Sequence, residues 1–335
     1  LNALLPAQHG ADGSFSLYSP RFGEAFHGAI GALREARLKA VEPAQLERFA
    51  PGSQLLVVDV GFGLGTNSAA LLEAASAGGL SLTILGLELE AAPLQTALAA
   101  EAFRRQWQPA TVALLEQLLS GSSASTSATS NGKAGRHSVN LHWGDARLRL
   151  PELLGERQLA GGCDLVLLDA FSPQHCPELW SLEFLSRLAR LLKPEGRLLT
   201  YCCAAAVRHS LRLAGLELAS IQPPGQRPLQ LAEGEGGGAT WSYGTAASPS
   251  SLMAAAMDDS GPLRTLSAME LEHLHTRAAE PYRDPSGQAT AAAIQAARQQ
   301  AQASSSASST SAWRRRWGLE RSAPSIQELC LEKAT

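Results

Sequence analysis

Apolar runs of strand length alternate with stretches of helical period along most of the chain, which predicts an α/β protein built on an open, mostly parallel sheet. Residues 55–60 are a β-branched apolar run, residues 68–75 are rich in helix formers, and the period changes at the glycines between them. Further strands are expected at 82–88, 139–143, 163–169 and 196–201, with 216–221 and 240–245 as a closing pair. Helices are expected at 93–107, 112–119, 177–192 and 204–214, the last ended by Gly215. Ahead of the first strand, turn residues bracket short alternating stretches over 12–27, predicting a β-hairpin that leads into a helix over 29–41. This unit precedes the sheet and is free to form a lid. Residues 120–138 are almost wholly Ser, Ala, Thr, Gly and Asn, a composition expected to leave a disordered insert. The chain therefore divides into a lid at 1–50, a main domain at 51–246 and an extension at 247–335 with helices expected at 270–277 and 289–302.

The turn after the first strand holds Gly61, Gly63 and Gly65. Glycine accepts positive φ and lets backbone amides approach a ligand, at the start of a helix whose N-terminus favours anionic groups. The glycines alternate and no lysine follows, so the spacing is neither the dinucleotide fingerprint nor a P-loop. Alternation after an aspartate, here Asp59, is similar to the turn of S-adenosylmethionine-dependent methyltransferases. On that reading Gly61, Phe62, Gly63, Gly65 and Asn67 contact the cofactor. Glu88 closes the next strand about twenty residues further on, where a carboxylate accepts from ribose hydroxyls. Asp145, with Ala146 beside it, follows the third strand; it either receives the adenine amino group or caps the helix that begins near Leu148. Asp169 closes the fourth strand near the expected topological switch point, backed by Phe171, Pro173 and Trp180, where a carboxylate can hold an amine or a base.

Composition narrows the reading. With 335 residues and 45% hydrophobic content the chain can bury a full core. A net charge of -3 offers no global basic field, so nucleic-acid contacts have to come from local patches. The 5 cysteines, Cys163, Cys176, Cys202, Cys203 and Cys330, include no Cys-x-x-Cys pair, which fits a reduced cytoplasmic setting and packing roles without a metal. No long apolar span is present, so no membrane association is expected. Arg314, Arg315 and Arg316 lie between Trp313 and Trp317, reading equally as a phosphate-binding cluster or a solvated tail.

More specific blocks occur in consistent order: Asp12 to Glu24 (DGSFSLYSPRFGE), Gly61 to Asn67 (GFGLGTN), Trp143 to Arg147 (WGDAR), Leu167 to Trp180 (LLDAFSPQHCPELW) and Thr200 to Leu216 (TYCCAAAVRHSLRLAGL). Together they resemble the methyltransferase domain of the MnmC family, over roughly Asp12 to Ala246. The resemblance implies a Rossmann-like class I fold with a seven-stranded sheet, S-adenosylmethionine as cofactor, and methylation of an aminomethyl group on the wobble uridine of tRNA. It implies Asp169 as the group that accepts a hydrogen bond from the amine, or else one that only orients the cofactor. Tyr18, Phe22, Glu24, His27, Phe171, Pro173 and Trp180 are candidate pocket residues, although aromatics in a hairpin also serve as core. Arg208, Arg21 and the Arg314 to Arg316 cluster are candidate phosphate contacts. The residues after Ala246 number about ninety, too few for the flavin oxidase domain of the bifunctional enzymes, so a stand-alone methyltransferase is expected, with another enzyme supplying its precursor. The family's glycine- and lysine-rich segment is represented here by 225–228 and 236–238. Aminopropyl transfer, methylation of a small-molecule amine and a non-catalytic cofactor- or RNA-binding module are the alternatives.

Overall fold

Two apolar layers sandwich a sheet of nine strands in the computed structural model, which describes residues 5–121, 123–130, 133–156, 159–222, 229–232, 239–256, 258 and 260–319. In chain order the strands are β1 (Gln54–Val60), β2 (Ser81–Glu88), β3 (Ser123–Ser130), β4 (Lys133–Trp143), β5 (Cys163–Leu168), β6 (Leu192–Thr200), β7 (Glu217–Ile221), β8 (Gly244–Ser248) and β9 (Leu263–Arg264). Across the sheet they run β9-β7-β8-β6-β5-β1-β2-β4-β3. The five central strands are parallel, and antiparallel strands complete both edges. The chain builds outward from β1 through β2 to β4, then returns to place β5 on the other side of β1. That reversal opens the crevice at the carboxyl ends of β1 and β5 in which ligands bind in doubly wound folds.

Burial on both faces explains why β1 reads as a continuous apolar run. Val57 packs with the layer that holds Leu71, Leu72 and Leu115 from helices Thr66–Gly78 and Pro109–Ser120. Val58 and Val60 pack with Leu150, Leu185 and Leu211 from helices Ala146–Glu156, Leu182–Leu191 and Ala205–Leu213 on the opposite face.

The α/β class and the parallel centre match expectation, but the sheet has nine strands in place of seven. One addition is β9; the other is β3, drawn from the Ser/Thr-rich insert expected to be disordered. Ser123–Ser130 pairs with Lys133–Asn140 over eight registered positions. Composition reports how little such a segment can bury, yet an edge strand needs only a neighbour with free backbone groups, and β4 supplies one. Ala124 is buried, and Ser123 Oγ donates to Asn140 Oδ1 at 2.7 Å.

The amino-terminal unit holds three short strands, Ala7–His9, Phe15–Ser19 and Glu24–Ala25, where a two-stranded hairpin is expected. Its helix starts at Ala32 and passes into a π-helical turn at Arg37–Val41. Residues beyond 258 pack on the main domain: Tyr282 and Ile294 join the core layer of β5, and Leu182 N–H donates to the Tyr282 carbonyl at 2.9 Å. Trp313 is 1% exposed, so its helix, Thr310–Arg316, is docked on the protein and is not a solvated tail. No helix among the described residues is long and apolar enough to cross a membrane. The four described cysteines are free and buried, and no group of metal-ligating side chains occurs among the described residues.

Candidate active site

A cavity of about 940 Å³ opens over the carboxyl ends of β1, β2, β4 and β5. Its floor is the glycine turn. Gly61 and Gly63 have φ of 80° and 56°, and a Cβ on Gly61 would stand 2.7 Å from the Asp169 carbonyl oxygen. A Cβ on Gly63 would meet the Phe26 ring at 3.3 Å. The turn is therefore pressed against the loop after β5 at Gly61 and against the Phe26 ring at Gly63, and both glycines line the cavity. Gly63 N–H donates to Glu88 Oε2 at 2.7 Å, and Leu89 N–H donates to Glu88 Oε1 at 2.7 Å. Burial nonetheless raises the Glu88 pKa above the usual carboxylate range. Oε2 keeps accepting capacity toward the cavity, since each carboxylate oxygen takes about two hydrogen bonds. A glycine cradle without side chains, with a fixed carboxylate beside it, fits the nucleoside end of S-adenosylmethionine.

Asp145 and Ala146 also line the cavity. Asp145 Oδ1 accepts from Arg147 N–H at 2.9 Å, and its carboxylate pairs with the Arg147 guanidinium at 2.7 Å; Arg147 reaches on to Asp284 at 2.8 Å. The cap and the cavity position hold together.

Asp169 lies where β5 ends. Its Oδ2 accepts from Asn67 Nδ2 at 2.6 Å, so Asn67 supports the acid from behind the cavity wall. Burial first, and then the nearby Glu35 carboxylate, raise Asp169 to about 6. Glu35 is itself buried and bridged to Lys39 Nζ at 2.6 Å. The two belong to the segment expected as a helix over 29–41, and sequence reasoning missed both. Their only signal is an i,i+4 charge pair among Ile30, Ala32, Ala36 and Ala40, a spacing that usually means a solvated face.

The loop after β5 is clamped by the amino-terminal strands. Glu24 accepts from Ser172 N–H at 2.9 Å and Ser172 Oγ at 2.5 Å, and pairs with His175 Nδ1 at 2.9 Å. Phe171 stacks on Phe22 with centroids 4.4 Å apart and meets Phe26 edge-on at 5.0 Å. Phe22, Glu24, His27, Phe171 and Pro173 thus come together around the cavity, as does Tyr201, whose hydroxyl donates to the Ala170 carbonyl at 3.0 Å.

Other expected residues lie elsewhere. Trp180 is fully buried under the loop, its Nε1 donating to the Phe171 carbonyl at 2.8 Å, so its ring is core and faces no ligand. Arg208 is 1% exposed and ion-paired with Glu270 at 2.9 Å, which removes it from any phosphate-contacting surface. Tyr18 pairs with Ala25 in the amino-terminal sheet and does not line the cavity. Phe62 and Gly65 pack inward: a Cβ on Gly65 would be 2.9 Å from the Phe62 ring, which also fills the space above Gly86. Asp59 sits beneath the turn, accepting from Ser68 Oγ at 2.6 Å, and burial raises it to about 7. The segments 225–228 and 236–238 lie outside the described residues.

The far wall comes from the carboxyl-terminal segment: His273, Ala278, Tyr282, Arg298 and Arg314 line the same cavity. Apart from Arg314, none was marked by its sequence context, because nothing local links residues 273–314 to the turn at 61–65.

Comparison with known proteins agrees with this geometry. Residues 107–232 match a family described as S-adenosyl-L-methionine-dependent methyltransferase. The chain is 30% identical over 231 residues to the tRNA 5-methylaminomethyl-2-thiouridine biosynthesis bifunctional protein MnmC of Cupriavidus necator, covering 64% of this chain and 32% of that protein. Against the same-named protein of Pseudomonas aeruginosa it is 32% identical over 219 residues, covering 62% and 32%. The chain thus spans about a third of the length of these curated relatives. The crystal structure of MnmC2 from Aquifex aeolicus superposes with a TM-score of 0.66 at 26% identity, covering 89% of this chain and 84% of that one. The protein accordingly carries an S-adenosyl-L-methionine-dependent methyltransferase region that is similar to the corresponding part of MnmC.

Proposed function

We propose that this domain methylates the primary amine of a 5-aminomethyl group on the wobble uridine of tRNA, giving the secondary amine. The observation that carries the reading is the position of Asp169. It ends β5 at the switch point, its own carbonyl pressed against the glycine cradle, and it opens into a cavity large enough for a nucleoside beside a base. Names carried by the relatives in Cupriavidus and Pseudomonas support tRNA as the substrate class.

When bound, S-adenosylmethionine supplies a methyl group already activated by its sulfonium. The task left to the protein is to hold a neutral nitrogen in line and take up the proton that the nitrogen sheds. Glu88 would hold the ribose hydroxyls and Asp145 the adenine end, with Gly61 and Gly63, their amides already donated to Leu87 and Glu88, leaving room for the remaining length. Asp169, steadied by Asn67 through one oxygen, offers the other to the substrate N–H. Its raised pKa makes it a better proton acceptor than an exposed carboxylate while leaving it ionised at neutral pH. Phe22 and Phe171 supply flat apolar faces for a base taken out of its stack. The amine itself has to be made at another active site before this one can act.

The test is incubation with methyl-labelled S-adenosylmethionine and either tRNA carrying 5-aminomethyluridine or a polyamine. Label in the tRNA is expected. Label only in the polyamine, or in neither, overturns the reading.

A further inference from the structure

Four arginines line the cavity, and they are not equivalent. Arg147 is paired with Asp145 and Asp284, and Arg298 is spent on the Glu280 and Ala278 carbonyls at 2.7 and 2.8 Å and on the Tyr282 ring at 4.4 Å. Arg21 and Arg314 have no acidic partner among the described residues; Arg21 lies over the Phe22 ring at 5.5 Å.

Arg314 is also held in place. Its neighbour Trp313 is buried, stacked on His273 with centroids 4.0 Å apart, and donates Nε1 to the Met269 carbonyl at 3.1 Å. Trp317 donates Nε1 to Glu272 Oε2 at 2.9 Å, and Arg316 pairs with Glu272 at 3.2 Å. Arg315 is exposed and does not line the cavity. The two tryptophans therefore act as pegs that dock the helix, and of its three arginines they turn one, Arg314, to the cavity. Burial first, then the Arg208 cation and after it that of Arg314, keep His273 uncharged, holding that imidazole down to about 3. A half-buried guanidinium on a fixed helix, with no acidic partner among the described residues, is prepared to receive an anion.

We infer that Arg314 and Arg21 form a two-point anion subsite at the mouth of the cavity, taking the phosphodiester groups that flank the nucleotide held inside. Each arginine comes from one end of the chain: Arg21 from the amino-terminal strands that clamp the loop after β5, Arg314 from the helix that closes the far wall. Phosphate contacts position a nucleic acid without reading its bases, which suits a site whose target is chosen by the pocket. The inference deepens the tRNA reading and rests on it.

The experiment measures binding of a tRNA carrying 5-aminomethyluridine against salt concentration, alongside methyl transfer and binding of S-adenosylhomocysteine. It uses the full chain and the variants Arg314→Ala, Arg21→Ala and Arg315→Ala. Arg314→Ala and Arg21→Ala are each expected to weaken RNA binding about tenfold and to lower the salt slope by about one, with cofactor binding unchanged. Arg315→Ala is expected to behave as the parent protein. Should the parent transfer methyl to tRNA while the Arg314 and Arg21 variants keep its affinity and slope, the subsite is overturned and the tRNA reading stands. Should RNA binding depend on both arginines with no methyl transfer, the subsite stands and the reading falls. A parent chain that binds no RNA overturns both.

Discussion

The two sides of the cavity are built by opposite means. The cofactor side is backbone: two glycines, Gly61 and Gly63, and a carboxylate held by neighbouring amides. The far wall is side chain: Arg298, Arg314, Tyr282 and His273 converge from turns and helices, each fixed by its own contacts. A backbone cradle constrains what lies next to it by shape alone, so it serves one ligand. A side-chain wall can be rewritten residue by residue, so it is the half able to choose the acceptor.

Four substitutions test that division, and the largest effect is expected where the halves meet. Asp169→Ala should lower the methyl-transfer rate by about 10²- to 10⁴-fold while cofactor affinity, read by calorimetry, changes only a few-fold. Persistent turnover would remove Asp169 from the chemistry. Next comes the buried ion pair behind the far wall, where Glu270 lies in the same helix as His273. Arg208 donates to Thr245 Oγ1 at 2.8 Å and Ser242 Oγ at 2.5 Å besides pairing with Glu270, so Arg208→Met leaves a buried carboxylate unpaired. It should cost about 3 to 5 kcal/mol in denaturant unfolding with cofactor affinity retained under folding conditions. A loss of RNA binding without loss of stability would restore Arg208 as a phosphate contact.

On the cradle side, Glu88→Gln should weaken cofactor binding about tenfold to a hundredfold, the cost of one charged hydrogen bond pair, and leave thermal stability close to the parent. The smallest change expected is in pH dependence. Asp169 must be ionised to accept a proton, and burial with the Glu35 charge holds it at about 6; kcat/KM should therefore fall as pH drops below that value and level off above it. Glu35→Gln removes the neighbouring negative charge, so the acidic limb should move to lower pH. A limb that stays in place would show that Glu35 acts on the acid through packing alone.

Legibility in the sequence follows the same division. The cradle was readable because its residues are consecutive and their job is conformational: Gly61, Gly63 and Glu88 stand where spacing put them. Asp145 and Asp169 were readable as acids at strand ends. Composition failed at 123–130, because pairing at a sheet edge depends on a partner's backbone and not on what the segment itself can bury. Trp180 and Arg208 were misplaced because residue type cannot tell a side chain that fills a core from one that lines a pocket. For Trp180 the deciding fact is the Phe171 carbonyl receiving its indole N–H, and for Arg208 it is Glu270, sixty-two positions away. Glu35 and Lys39 were overlooked because a charge pair at helical spacing looks the same whether it faces water or the floor of a cavity.

The close approach of Gly61 to the Asp169 carbonyl means that the glycine turn and the acid after β5 meet backbone against backbone, across two neighbouring strands. Neither can drift without the other, because no intervening side chain exists to be trimmed or enlarged. Descendants of this protein that change their acceptor would be expected to keep that seam intact and vary at their two termini.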